Sequence, residues 1–145
     1  MNLLGGPGET ALAGAHLAMG GIAERYHQIT FCLAHGGGTL AAVAGRLQRG
    51  QDTGREGSWL GGEKVRATLR RFCVDCITHD AASIALAAAT FGEGRVVFGS
   101  DWPFAMGLPE PREQLAGVEA GLRARILQDN GAALLDKHGS GGRAA

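Results

Sequence analysis

Two short segments of this sequence end an apolar run in a residue able to do acid–base or ligand chemistry. Phe31-Cys32-Leu33-Ala34 leads into His35 and the three glycines Gly36-Gly37-Gly38, and Phe98-Gly99-Ser100 leads into Asp101-Trp102-Pro103-Phe104. An imidazole exchanges a proton near neutral pH, and a carboxylate can bind a divalent cation or take a proton from activated water. A short apolar run closed by a polar residue and a turn is how a parallel strand delivers a side chain to the edge of a sheet. His35 is thus a candidate general acid/base and Asp101 a candidate metal ligand. Each also has a plainer reading: His35 closing a tight turn on backbone partners, and Asp101 or Ser100 capping one.

His35-Gly36-Gly37-Gly38 also matches the oxyanion-hole loop of esterases, but that chemistry needs a Gly-x-Ser-x-Gly nucleophile elbow, and the sequence has none. Thr78-His79-Asp80 supplies helix-capping residues, with His79 as a possible further site residue. Cys73-Val74-Asp75-Cys76 has redox-motif spacing but falls at a strand end, not at a helix start after a strand, which favours chance placement. Gly57 to Gly62 is not a phosphate loop, because no Gly-Lys-Ser/Thr ends it. His16, His27 and His138 have no partner at ligand spacing.

The elements that must hold these residues follow from periodicity. Pro7-Gly8-Glu9-Thr10 predicts a helix entry, with a first helix over about residues 9–26. Ile29–Ala34 predicts a strand, Thr39–Leu47 a helix, Gln48–Gly62 an excursion loop, and Glu63–Arg71 a short helix. Phe72–Asp75 predicts a second strand, Ala81–Thr90 an Ala-rich helix, and Arg95–Gly99 a third strand. Beyond Pro109-Glu110-Pro111, Leu115, Val118, Leu122, Ile126 and Leu127 recur at helical spacing. Strands alternating with helices mean βα units and a parallel sheet, so the class is α/β. Three parallel strands with two open edges are few for a self-sufficient α/β domain, which points to an incomplete barrel. Residues 1–136 form the folded part in this reading, and 137–145 a disordered tail.

With 145 residues the chain can hold one domain or part of one, well short of the roughly 250 typical of a (β/α)8 barrel. Fourteen basic and fourteen acidic residues cancel, so no basic face argues for nucleic acid, and a small-molecule ligand is expected. Apolar stretches such as Ile84–Thr90 fall far below a membrane span, and the start has no signal-peptide pattern. Three cysteines without repeated spacing fit a reducing compartment. The expectation is a cytoplasmic protein with no membrane partner.

Taken together and in order, Ala34-His35-Gly36-Gly37-Gly38 and Gly99-Ser100-Asp101-Trp102-Pro103-Phe104 resemble the C-terminal half of amidohydrolase-superfamily barrels. The branch they resemble is that of the aminocarboxymuconate-semialdehyde decarboxylases. The similarity runs from about Leu3 to Leu135, through Gly45-Arg46 and Asn130-Gly131-Ala132. It implies a partial (β/α)8 barrel made of the last three βα units with a preceding helix. It also implies a divalent metal, zinc, with Asp101 as one ligand and His35 as the proton shuttle. Arg46, by its own chemistry a surface residue suited to bidentate carboxylate recognition, matches a family arginine that binds a substrate carboxylate in the neighbouring subunit of a homodimer. Thr78-His79-Asp80 resembles the segment after the family's seventh strand.

The departure lies in the metal site. The family places two ligands in a His-x-His motif on the first strand and a third histidine after the fifth, and this sequence contains no His-x-His. Three of four ligands are absent, and one carboxylate cannot hold a catalytic zinc. The expected function is that of a fragment of a metal-dependent decarboxylase acting on a small unsaturated carboxylic acid, inactive by itself. A hydrolase or hydratase of the same superfamily, or a non-catalytic remnant that pairs through its sheet edges, are the alternatives.

Overall fold

A computed structural model describes residues 2–55 and 61–139. Helix α1 (Asn2–Met19) and the single turn α2 (Ile22–Arg25) precede three βα units. Strand β1 (Cys32–Leu33) is followed by α3 (Leu40–Asp52) and α4 (Val65–Leu69), and β2 (Cys73–Asp75) by α5 (Ala81–Phe91). After β3 (Val96–Val97) come α6 (Pro111–Gln114), α7 (Ala120–Ala124), a π-turn over Arg125–Asp129 and α8 (Asn130–Gly139).

The strands are parallel and lie side by side in chain order. Cys32 pairs with Cys73, Leu33 with Val74, Val74 with Val96 and Asp75 with Val97. Residues in register share a face, so Leu33, Val74 and Val96 form one side of the sheet, and all three are buried. They join a core that includes Leu40, Leu69, Phe72, Ile84, Phe91, Leu115 and Ile126. Strands added in chain order through right-handed crossovers carry their helices on a single face. On the opposite face Cys32 and Ala34 are exposed, Asp75 is half-buried, and Cys73 and Val97 are buried. This is the α/β class with a parallel sheet read from the sequence.

Several boundaries differ from expectation. Helix α1 starts at Asn2, not near residue 9, and runs through Pro7, which has no amide hydrogen to donate to the helix and crowds the carbonyl four residues before it. It stops at Met19, short of 26, where Gly21 takes a left-handed φ of 69° and redirects the chain into α2. The expected loop from Gln48 is helical through Asp52: Gln51 bonds the Glu63 carbonyl and the Val65 amide, and Lys64 pairs with Asp52. These contacts tie the end of α3 to the start of α4, and residues 56–60 between them lie outside the described residues. The strands are shorter than their apolar runs, since β1 and β3 have a neighbour on one side alone. The last helix passes the expected boundary at 136 and reaches Gly139, with the Lys137 ammonium 3.4 Å from the Thr30 hydroxyl. The rest of the expected tail lies outside the described residues.

Candidate active site

At the C-terminal ends of the three strands, His35, His79 and Asp101 line one cavity of about 290 Å³. Pro7, Thr39, Ile77, Ser83 and Met106 contribute to the same wall. The three site residues share a backbone property: φ is 56° at His35, 58° at His79 and 55° at Asp101. They are the only described non-glycine residues in the left-handed region, where each costs about 1–3 kcal/mol and persists only if its surroundings enforce it.

His35 begins a tight turn after β1. Its Nδ1 lies 3.1 Å from the Thr10 hydroxyl on α1, and its backbone N–H donates to Asp75 Oδ2 at 3.1 Å. The glycines that follow answer to specific crowding. Gly36, at φ 61°, has the Thr78 methyl 2.4 Å from where a Cβ would stand, and at Gly38 the Pro7 carbonyl oxygen would lie 2.0 Å away. The turn is therefore pressed between α1 and the loop after β2, which fixes where the imidazole can sit.

His79 and Asp80 divide the two readings of their segment. The Asp80 carboxylate accepts from the backbone N–H and the hydroxyl of Ser83 and so caps α5. These bonds hold its pKa below the usual carboxylate range. His79, one residue earlier, faces the shared cavity.

Asp101 opens a loop closed by the Leu108 N–H on the Ser100 carbonyl at 2.8 Å and the Phe104 N–H on the Asp101 carbonyl at 2.9 Å. Its Trp102–Pro103 peptide is cis. The side-chain turn bond belongs to Ser100, whose hydroxyl accepts from Trp102 N–H. Among the described residues nothing donates to the Asp101 carboxylate, which is exposed at the cavity.

Arg46 stands exposed on α3 and does not line this cavity. Cys73 and Cys76 are both buried and unlinked, and burial pushes the Cys76 thiol up, opposite to what a redox nucleophile needs. His27 lines a separate small cavity with Arg71 and Arg95. Two contributors escaped the sequence reading, Thr10 and Asp75, because each acts on His35 from a distant part of the chain. The Gly-Glu-Thr of a helix start and a strand-end aspartate were the only local signals.

No group of three or more His, Cys, Asp or Glu side chains among the described residues converges closely enough to hold a metal ion. Asp101 with His79 or His35 offers fewer donors than the three protein ligands of a catalytic centre. The donors of this chain alone therefore do not fit a complete metal site.

A parallel βα array with polar side chains gathered at its C-terminal edge is the layout in which barrel folds place their sites. The chain belongs to the amidohydrolase family, which it matches over residues 2–137. It is 29% identical over 118 residues to 2-amino-3-carboxymuconate-6-semialdehyde decarboxylase of Dictyostelium discoideum, covering 81% of this chain and 33% of that protein. The enzyme of the same name from Caenorhabditis elegans is 31% identical over 139 residues, covering 92% of this chain and 34% of its own length. The chain thus spans about a third of these relatives. Among solved structures, a dihydroxybenzoic acid decarboxylase from a Polaromonas species, holding manganese and the inhibitor 2-nitroresorcinol, superposes with a TM-score of 0.76. That match has 17% identity and covers 91% of this chain and 41% of the other. A 5-carboxyvanillate decarboxylase from Sphingomonas paucimobilis gives a TM-score of 0.72 at 20% identity, covering 90% and 40%. No helix among the described residues is long and apolar enough to cross a membrane.

Proposed function

We propose that this chain is the C-terminal portion of a metal-dependent decarboxylase barrel, comprising the last three βα units, and that it acts on a small unsaturated or aromatic carboxylic acid only when the rest of the barrel is present. The observation that carries the reading is the convergence of His35, His79 and Asp101 on one cavity, in a chain that matches the family along almost its whole length. The names of the relatives support the reaction class.

In this reading Asp101 contributes one ligand to a divalent metal, zinc or manganese, whose other ligands come from barrel strands outside this sequence. The chain's own residues supply proton handling and substrate binding. Thr10 engages Nδ1 of His35, leaving Nε2 to exchange a proton with substrate. As the bond to the departing carboxylate breaks, carbon dioxide leaves and the electron pair stays on the substrate carbon, which takes its proton from His35. His79, which lines the same cavity, supplies a second polar contact. Arg46, exposed on α3, binds a substrate carboxylate in a neighbouring subunit of a homodimer.

The test is the reading frame upstream of Met1. A longer polypeptide carrying a His-x-His strand is expected to release carbon dioxide from a panel of unsaturated and aromatic carboxylic acids. Replacing His35 by Asn or Asp101 by Asn should remove that activity. Hydrolysis or hydration without carbon dioxide would move the reaction elsewhere in the superfamily. A longer polypeptide without turnover would favour the non-catalytic, subunit-pairing reading.

A further inference from the structure

The Asp75 carboxylate sits between two strand ends and collects backbone donors from both. Its Oδ2 accepts the His35 N–H at 3.1 Å, and its Oδ1 accepts the Gly36 N–H at 2.8 Å and the Ile77 N–H at 3.0 Å. His35 and Gly36 are consecutive left-handed residues, an arrangement an L-residue leaves unless something holds it. Ile77 lies two residues before left-handed His79, and both line the same cavity as His35. Gly99 keeps the neighbouring space clear, since a Cβ there would lie 3.1 Å from the Asp75 Cβ.

From this geometry we infer that Asp75 is the positioning residue of the site: it fastens the His35 turn and the His79 loop to the middle strand through their backbones, and so fixes the two imidazoles relative to each other. With three N–H groups on its two oxygens, its carboxylate serves as an anchor for the main chain and not as a metal ligand or a base. The assignment bears on catalysis only through the role proposed for His35, but its geometry can be tested without turnover.

Asp75→Asn is the discriminating variant. An amide has one acceptor oxygen, and placing it at the Oδ1 position keeps the Gly36 and Ile77 bonds while turning an NH2 toward the His35 N–H. In the 145-residue chain, hydrogen exchange followed by NMR should show the His35 amide exchanging at least about tenfold faster. The Ile77 amide, and the Cys73 amide that bonds the Phe31 carbonyl in the sheet, should keep their protection. The ring 15N shifts of His35 should move as its contact with Thr10 loosens. Unchanged His35 exchange, a uniform rise that includes Cys73, or unchanged ring shifts would each overturn the inference.

Should the variant not fold, the wild-type chain answers the same question. The amide nitrogens of His35, Gly36 and Ile77 should each show a through-hydrogen-bond NMR coupling to the side-chain carboxyl carbon of Asp75; absence of the coupling from His35 or from Gly36 would overturn it. These readouts need no substrate, so they stand or fall independently of the decarboxylase reading.

Discussion

At the scale of single residues, the site is built less by the side chains that face the cavity than by what keeps their backbones left-handed. Gly38 shows how little room there is: it combines φ 61° with a Pro7 carbonyl oxygen 2.0 Å from the position of a missing Cβ. Gly38→Ala should therefore destabilise the chain by about 3 kcal/mol, from backbone strain and forced displacement of α1. A denaturant titration checks this, and a midpoint within error of wild type would show that α1 does not press on the turn. Asp80 gives a pH signature. Its pKa is depressed by the Ser83 hydroxyl first and the Ser83 amide second, so the cap is complete above the ordinary carboxylate pKa. Its stabilisation is lost as pH falls from about 4 through the lower folded value. Comparing melting temperatures of wild type and Asp80→Ala, the difference should be largest near neutrality and shrink on acidification; a constant difference would place the effect elsewhere.

At the scale of elements, the ends of the sheet depend on tethers between parts distant in sequence. Asn130, buried at the start of α8, donates its side-chain amide to the carbonyls of Glu93 and Val96, each at 2.7 Å. Those bonds hold the last helix against β3, the strand that leads to Asp101. Asn130→Ala strands two carbonyl acceptors and should cost about 2 kcal/mol. Thermal unfolding measures it, and Asn130→Asp should be no milder, since a carboxylate cannot donate to either carbonyl. The start of α7, by contrast, is set locally: the Glu119 carboxylate accepts from the amides of Gly121 and Leu122. Strand ends and helix starts were legible in the sequence wherever an apolar run met glycine or a capping residue, as at His35 and Asp80. The start of α1 was hidden by glycines and Pro7, and the extra turn of α3 by Gln and Asp residues whose helical role comes from bonds to residues 63–65.

At the scale of the whole molecule, three strands carry helices on one face and leave part of the other uncovered. Among the described residues no three metal-binding side chains converge. The purified chain is accordingly expected to hold neither zinc nor manganese at stoichiometric levels after dialysis, by elemental analysis, and to show no metal-dependent decarboxylation. A full equivalent of tightly held metal would contradict the donor set described above. On the face opposite the core, Cys32 and Ala34 are exposed while Cys73 and Val97 are buried.

By itself the sequence determined the α/β class, the placement of His35 and Asp101 after the first and third strands, and the family, because those rest on local apolar runs, glycines and motif order. Only the tertiary structure decided that His79 joins the same cavity, that Thr10 engages the imidazole, and that Asp75 anchors two loops at once. The physical reason is sequence distance: Thr10 lies 25 residues from His35 and Asp75 lies 40, and a carboxylate that binds main-chain amides leaves no side-chain pattern at the positions it holds.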